Sequence, residues 1–247
     1  KLKLTALSKR KHDQLESSVL RDSDEIIVTS PQTKVLFSKR TTTQITVITN
    51  GYDFEINHSC TLDSMFTLSH VGSLYEGRNP QVLWKVLSDL VQTSKEFSKV
   101  FRLNLIGYVS QDVLQSIKSY GLEAHTNCSG YVSHSEALTY QNKTQLLLLI
   151  EEDSIETQYI IPGKLFEYMA SKRPIISIGP DVSDIEDILS KSCAGTYFRY
   201  KDAELLRLGI SNHFEAYKMN DLNVDSKGLG YYSRKSLTLE LSKILIN

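Results

Sequence analysis

One run of five apolar residues, Leu146–Ile150 (LLLLI), constrains this chain more than its composition does. The run is far too short to cross a bilayer. A strand with no polar alternation must be covered on both faces, as central strands of parallel sheets are. The rest of the sequence supplies the covers. Strands are predicted at Phe66–Val71, Phe101–Ile106, a weak one ending in Gly130–Val132, Gln145–Ile150, Pro174–Ile178 and Gly195–Arg199. Between and after them come helical stretches at 80–96, 111–120, 133–140, 162–171, 182–189, 202–217 and 233–245. On the first of these Val82, Leu83, Val86, Leu87, Leu90 and Val91 share one face. Strands alternating with helices mean βαβ units, so the expected fold class is α/β, a parallel sheet with helices on both faces. Ligands of such sheets sit beyond the carboxyl ends of the strands. Gly72, Arg78, Gly130 and the helix at Pro162 all follow such ends.

The first part of the chain reads differently. A polar, helix-prone stretch runs from Leu2 to Arg21, and Glu25–Ser30 is a short strand. Pro31 starts a helix reaching about Lys39 with Ser30 as its cap, and Gln44–Thr49 is a second strand, broken by Asn50-Gly51. The 28 basic and 29 acidic residues leave a net charge of −1, which gives no bulk attraction to nucleic acid. Cys60, Cys128 and Cys193 are odd in number and lack metal spacing, so each is expected to be a buried or partly buried free thiol in a reducing compartment. No stretch reads as a signal peptide. The chain starts at Lys1 rather than Met, and a fragment or processed form is expected.

The segment Ile161–Pro180 (IPGKLFEYMASKRPIISIGP) carries the most chemistry. Proline is tolerated at a first helical position. The unpaired amides of a first turn attract anions. Lys164 adds a full charge beside them, and Glu167, one turn on, can accept hydrogen bonds from a vicinal diol. The plain alternative is a capped helix leading into a core strand, with both charges solvated. The loop Gly72–Asn79 has glycines like a P-loop, but Arg78-Asn79 stands where that motif needs Lys and then Ser or Thr. A guanidinium there still suits phosphate oxygens. No GxGxxG follows a strand, and no HExxH, CxxC or paired DxD is present, so neither a dinucleotide cofactor nor a metal is expected. His70 is read as a residue of the first strand packed in the hinge.

The segment closely resembles the donor-binding motif of retaining GT-B glycosyltransferases, which have two Rossmann-like domains. DEIIVTS (Asp24–Ser30) with ITVITNGYD (Ile45–Asp53) resembles the end of that family's acceptor domain and its hinge. HVGSLYEGRNP (His70–Pro80), LNLIG (Leu103–Gly107) and SGYVSHSE (Ser129–Glu136) resemble the first strand and loop, a central strand, and the base-contacting turn of its donor domain. The resemblance runs from about residue 20 to 245. It implies a remnant of the acceptor domain and hinge in 1–55, a donor-binding Rossmann-like domain in 56–230 and a C-terminal helix in 231–247.

By motif position the resemblance assigns the donor diphosphate to Gly72, Arg78, Gly163, Lys164 and Leu165. It assigns the ribose to Glu167, and the base to backbone groups of Tyr131, Val132 and Ser133. It names no catalytic residue, no metal and no cofactor beyond the substrate, a nucleoside-diphosphate sugar. The implied reaction transfers a sugar to a hydroxyl of a glycan or lipid-linked acceptor with retention, in surface-polysaccharide synthesis. The implied setting is cytoplasmic, with peripheral membrane contact through the missing domain. The orphan strands of the first part are expected to pair across a homodimer or dock irregularly. Two departures stand out: Tyr159 lies eight residues before Glu167, where many relatives have a second glutamate, and Ser73 replaces an arginine. An epimerase on the same scaffold and a non-catalytic nucleotide-sugar-binding partner are the competing readings.

Overall fold

A computed structural model describes residues 4–53, 60–224 and 226–246. The expected helix start at Leu2 and the expected domain boundary at 55/56 lie outside them. In the first part, α1 (Ala6–Asp22) and α2 (Pro31–Phe37) flank β1 (Ile26–Val28) and β2 (Ile45–Val47). Ser30 caps α2, its hydroxyl accepting from the Thr33 amide at 3.1 Å. The two short strands do not wait for a second chain. They pair with each other in parallel, Ile26 opposite Ile45, over a small core of Leu20, Ile26, Val28 and Ile45.

The larger unit follows the alternation read from the sequence. Its elements are β3 (Phe66–Val71), α3 (Gln81–Thr93), α4 (Lys95–Val100), β4 (Phe101–Ile106), α5 (Gln111–Ser119), β5 (Thr126–Gly130), α6 (His134–Lys143) and β6 (Leu146–Ile150). They continue with α7 (Lys164–Ala170), β7 (Ile175–Gly179), α8 (Asp184–Ser192), β8 (Gly195–Arg199), α9 (Ala203–Lys218) and α10 (Arg234–Ile246). The six strands form one parallel sheet in the order β5-β4-β3-β6-β7-β8, the doubly wound Rossmann-like arrangement. Strand LLLLI is wholly buried, and its pleat divides it. Leu146, Leu148 and Ile150 enter the core under α3, α5 and α9, and Leu147 and Leu149 the core under α7 and α8. Helices therefore cover both faces.

Some boundaries moved for local reasons. The expected helix 80–96 breaks at Ser94, whose hydroxyl accepts from the Phe97 amide and starts α4. The weak strand ends at Gly130, so Tyr131 and Val132 lie beyond it. The helix expected from Pro162 begins at Lys164 and has seven residues. Cys128 and Cys193 are exposed rather than buried, and Cys60 is half-buried; all three are free thiols. Cys128 sits on the edge strand β5 and Cys193 on the left-handed residue closing α8, at the margins of the fold rather than in its core. The last β–loop segment of the first part is tied to α10: the Tyr52 amide donates to Tyr232 O at 3.1 Å and the Arg234 amide to Tyr52 O at 2.9 Å.

Candidate functional site

The sheet reverses direction of winding between β3 and β6, and the side chains of interest meet there. The two strands pair only through Leu68 opposite Leu146 and Ser69 opposite Leu147. Beyond that point they part. Gly72 donates to Ile106 O, so the neighbouring Val71 turns its peptide groups toward β6, where no strand partner remains. The hydroxyl of Tyr168 takes both: the Val71 amide donates to it at 2.8 Å, and it donates to Val71 O at 3.2 Å. Such pairing is what a buried backbone demands. His70 closes the next gap, with Nδ1 3.0 Å from Leu148 O. That contact places the proton on Nδ1 and leaves the Nε2 lone pair facing Lys164 Nζ, 3.5 Å away. Burial, and then the Lys164 ammonium, hold the His70 imidazole well below its usual range, so it is neutral. His70 is thus part of the site floor and not of a hinge.

Lys164 lies over Gly72. A Cβ at Gly72 would stand 3.4 Å from Lys164 Nζ, and the backbone there has φ +126°, a conformation open to glycine. Gly107 fits against the same spot, since a Cβ on it would fall 2.6 Å from Gly72 O. The glycines let the loops after β3 and β4 close up beneath the ammonium. Burial lowers Lys164 to about 8, opposed by Glu151 and reinforced by Arg78. It is still mostly cationic at neutral pH. Arg78, from the 3₁₀ turn after β3, reaches across the switch point to Glu151, with Nη2 3.2 Å from Oε2.

Glu151 was not among the residues picked out from sequence. It is the first residue after β6 and is 1 % exposed, with Oε1 buried and without a partner among the described residues. Burial raises its pKa, against the lowering pull of Arg78 and Lys164. An acid directly after the most apolar strand was the available signal. Only the strand order shows that this strand borders the crevice.

The ribose candidate Glu167 is half-buried, one turn beyond Lys164, and accepts from Gln141 Nε2 at 3.2 Å. Gln141 is a second residue that the sequence reading passed over. Gly163 and Glu167 line an open cavity of about 450 Å³ together with Asn50, Gly51 and Arg234. The diphosphate seat read from the helix start is narrower than expected. The Leu165 amide already donates to Pro162 O at 3.0 Å, and its side chain is buried, so Leu165 offers no free donor. Gly163 stands in open space. The base candidates lie on the turn between β5 and α6. Tyr131 is 77 % exposed, Val132 packs partly against the α7 core, and Ser133 is fully engaged in capping α6. Its amide donates to Glu136 Oε2 at 2.9 Å, so that donor too is taken. Tyr159 ends a 3₁₀ turn and Ser73 lies beside His70, the two positions where charges were missing. Among the described residues no group of three or more His, Cys, Asp or Glu could hold a metal ion, and no helix is long and apolar enough to cross a membrane.

The sequence matches no family model and no curated protein. The fold does match solved structures. Sucrose-phosphate synthase from Thermosynechococcus elongatus superimposes with a TM-score of 0.70 at 14 % identity, over 98 % of this chain and 63 % of that one. HepE from Anabaena, in complex with UDP, gives 0.69 at 14 % identity over 90 % and 64 %. WaaG, a glycosyltransferase involved in lipopolysaccharide biosynthesis, gives 0.68 at 13 % over 95 % and 68 %. The chain shares the GT-B fold over the part of these proteins that it matches, 63 to 68 % of their length.

Proposed function

We propose that this chain is the donor-binding part of a glycosyltransferase. It would transfer a sugar from a nucleoside-diphosphate sugar to an acceptor hydroxyl with retention, in surface-polysaccharide synthesis. The observation that carries the reading is the meeting of Lys164, which lies over Gly72, and Arg78, which reaches Glu151, at the switch point, with Glu167 one turn further on. Two cations at a strand-end crevice suit a diphosphate, and a half-exposed carboxylate beside them suits a ribose diol. The fold shared with HepE, solved with UDP, and with WaaG supports the same reading.

In this scheme Lys164, Arg78 and the amides of Gly163 and Lys164 neutralise the departing diphosphate. Their effect is largest where charge develops. Glu167 holds the ribose, kept in place by Gln141. Tyr131, Val132 and Ser133 flank the base, through carbonyls and the Tyr131 ring, because the Ser133 amide is taken. Leu165 contributes packing beneath the seat. The acceptor, a glycan or a lipid-linked one, meets the donor from the side of the first part of the chain. The scheme uses no metal ion and places the protein at the cytoplasmic side.

Isothermal titration with UDP and GDP tests this. Micromolar to millimolar binding of one nucleotide, lost in Glu167→Ala, is the expected result. If Lys164→Ala and Glu167→Ala both bind it as the parent does, the site is wrong. With the full-length protein and donor, a glycosylated acceptor is expected; an epimerised donor would indicate the epimerase reading instead.

A further inference from the structure

Glu151 is a buried carboxylate that the proposed chemistry leaves without a task. The groups facing it are the cations Arg78 and Lys164, the neighbouring Glu152, and the hydroxyls of Tyr168, Tyr197 and Tyr200. The Tyr200 hydroxyl is bonded to its backbone oxygen at 2.8 Å. Apart from Arg78, no side chain donates a hydrogen bond to its carboxylate among the described residues, and one of its oxygens has no partner. Buried carboxylates are ordinarily paired and hydrogen-bonded on both oxygens. Among the described residues the Arg78 guanidinium is its one ion-pair partner at contact distance, with Lys164 acting on it from further off, and that guanidinium is the one offered to a diphosphate.

We propose that Glu151 holds Arg78 in the empty site, and that an arriving diphosphate takes Arg78 from it, Glu151 picking up one proton from solvent as the pair opens. This rests on the donor-site reading and adds a coupling to it. The charge balance motivates it. The three groups of the ion-pair cluster, Arg78, Lys164 and Glu151, carry two positive charges and one negative, with His70 neutral, and Glu152 and Glu167 add negative charge at its edge. A diphosphate brings at least two negative charges to the same two cations. Glu151 would then sit buried beside that anion with no cation of its own. A like charge and burial both favour the protonated acid. The added proton gives Glu151 a donor of its own and keeps the cluster near neutrality. Glu151 is therefore a positioning residue: it acts on the donor through Arg78 and touches no reacting atom.

The coupling has a direct readout. If one proton is taken up, the affinity for the diphosphate weakens by up to about tenfold for each unit of rising pH across the window where Glu151 changes state. Titrating the chain with UDP at a series of pH values from acid to neutral, in two buffers of different ionisation heat at each, counts the protons exchanged. The phosphate's own titration is common to parent and variants and cancels in the difference. Glu151→Gln keeps the shape and removes the titration, so across the series it should take up fewer protons than the parent, by up to one. His70→Gln should leave the count unchanged. Equal counts in the parent and Glu151→Gln overturn the proposal. So does a count lost in His70→Gln, which assigns the proton to the imidazole even if Glu151→Gln does not fold. The site reading itself fails differently: the parent would then bind no UDP or GDP at all.

Discussion

The two ends of the candidate site are built on opposite terms. At the switch point the side chains are enclosed and charged, and their hydrogen bonding is incomplete: Glu151 keeps one oxygen unpartnered, and His70 meets Lys164 only at 3.5 Å. At the β5–α6 turn the side chains are exposed and their hydrogen bonds are made: Ser133 and Glu136 satisfy each other, and Tyr131 lies in solvent. Incomplete satisfaction inside a low-dielectric crevice costs the empty protein stability and leaves strong interactions for a ligand. A satisfied, exposed turn offers little more than a surface to lie on. Affinity for a donor should come from the first end, and the choice of base from modest contacts at the second.

The largest test of that contrast is Lys164→Ala, which should weaken UDP or GDP binding about ten- to a hundred-fold by titration calorimetry, the range of one charge-assisted hydrogen bond. Tyr131→Ala should change it by less than about threefold, as befits an exposed contact. Equal losses at both ends would break the comparison. Next is Tyr168→Phe, which strands the amide and carbonyl of Val71 and should cost about 1–3 kcal/mol in urea unfolding. An unchanged midpoint would mean that the parting of β3 and β6 needs no hydroxyl.

A pH series sharpens the same end. Lys164 is charged below about 8 and neutral above it. Nucleotide affinity should therefore fall as pH rises through about 8, and Lys164→Arg, which stays charged, should remove that fall. A parent curve without the fall would place the ammonium away from the phosphates. The smallest effect belongs to the other end. Ser133→Ala removes a cap and should lower stability by about 1 kcal/mol in thermal or urea unfolding while leaving nucleotide affinity nearly unchanged.

The same contrast explains what could be read from the chain and what could not. Strands Phe66–Val71 and Phe101–Ile106 were legible to the residue, because each mixes apolar and polar residues at strand spacing and is followed by a glycine, Gly72 or Gly107. The N-cap at Ser30 was legible because capping is a local bond. Lys164, Glu167 and Arg78 were legible through spacing and motif. Glu151, Gln141 and the tyrosine that fills the gap beside Val71 were not, for each matters through a partner 26 to 97 residues away. Cys128 and Cys193 misled because composition speaks of average burial, not of an edge strand or a helix end.

By itself, then, the sequence determined the alternation of elements, the coverage of LLLLI on both faces, and the charges available to a phosphate and a ribose. These follow from periodicity, propensity and short-range bonds. The tertiary structure alone decided which strands part and where, and so which acid becomes buried against Arg78. It also decided that β1 and β2 pair with each other and that the Leu165 and Ser133 amides are already taken. Strand order and hydrogen-bond partnership are settled by contacts distant in the chain, and no local pattern encodes them.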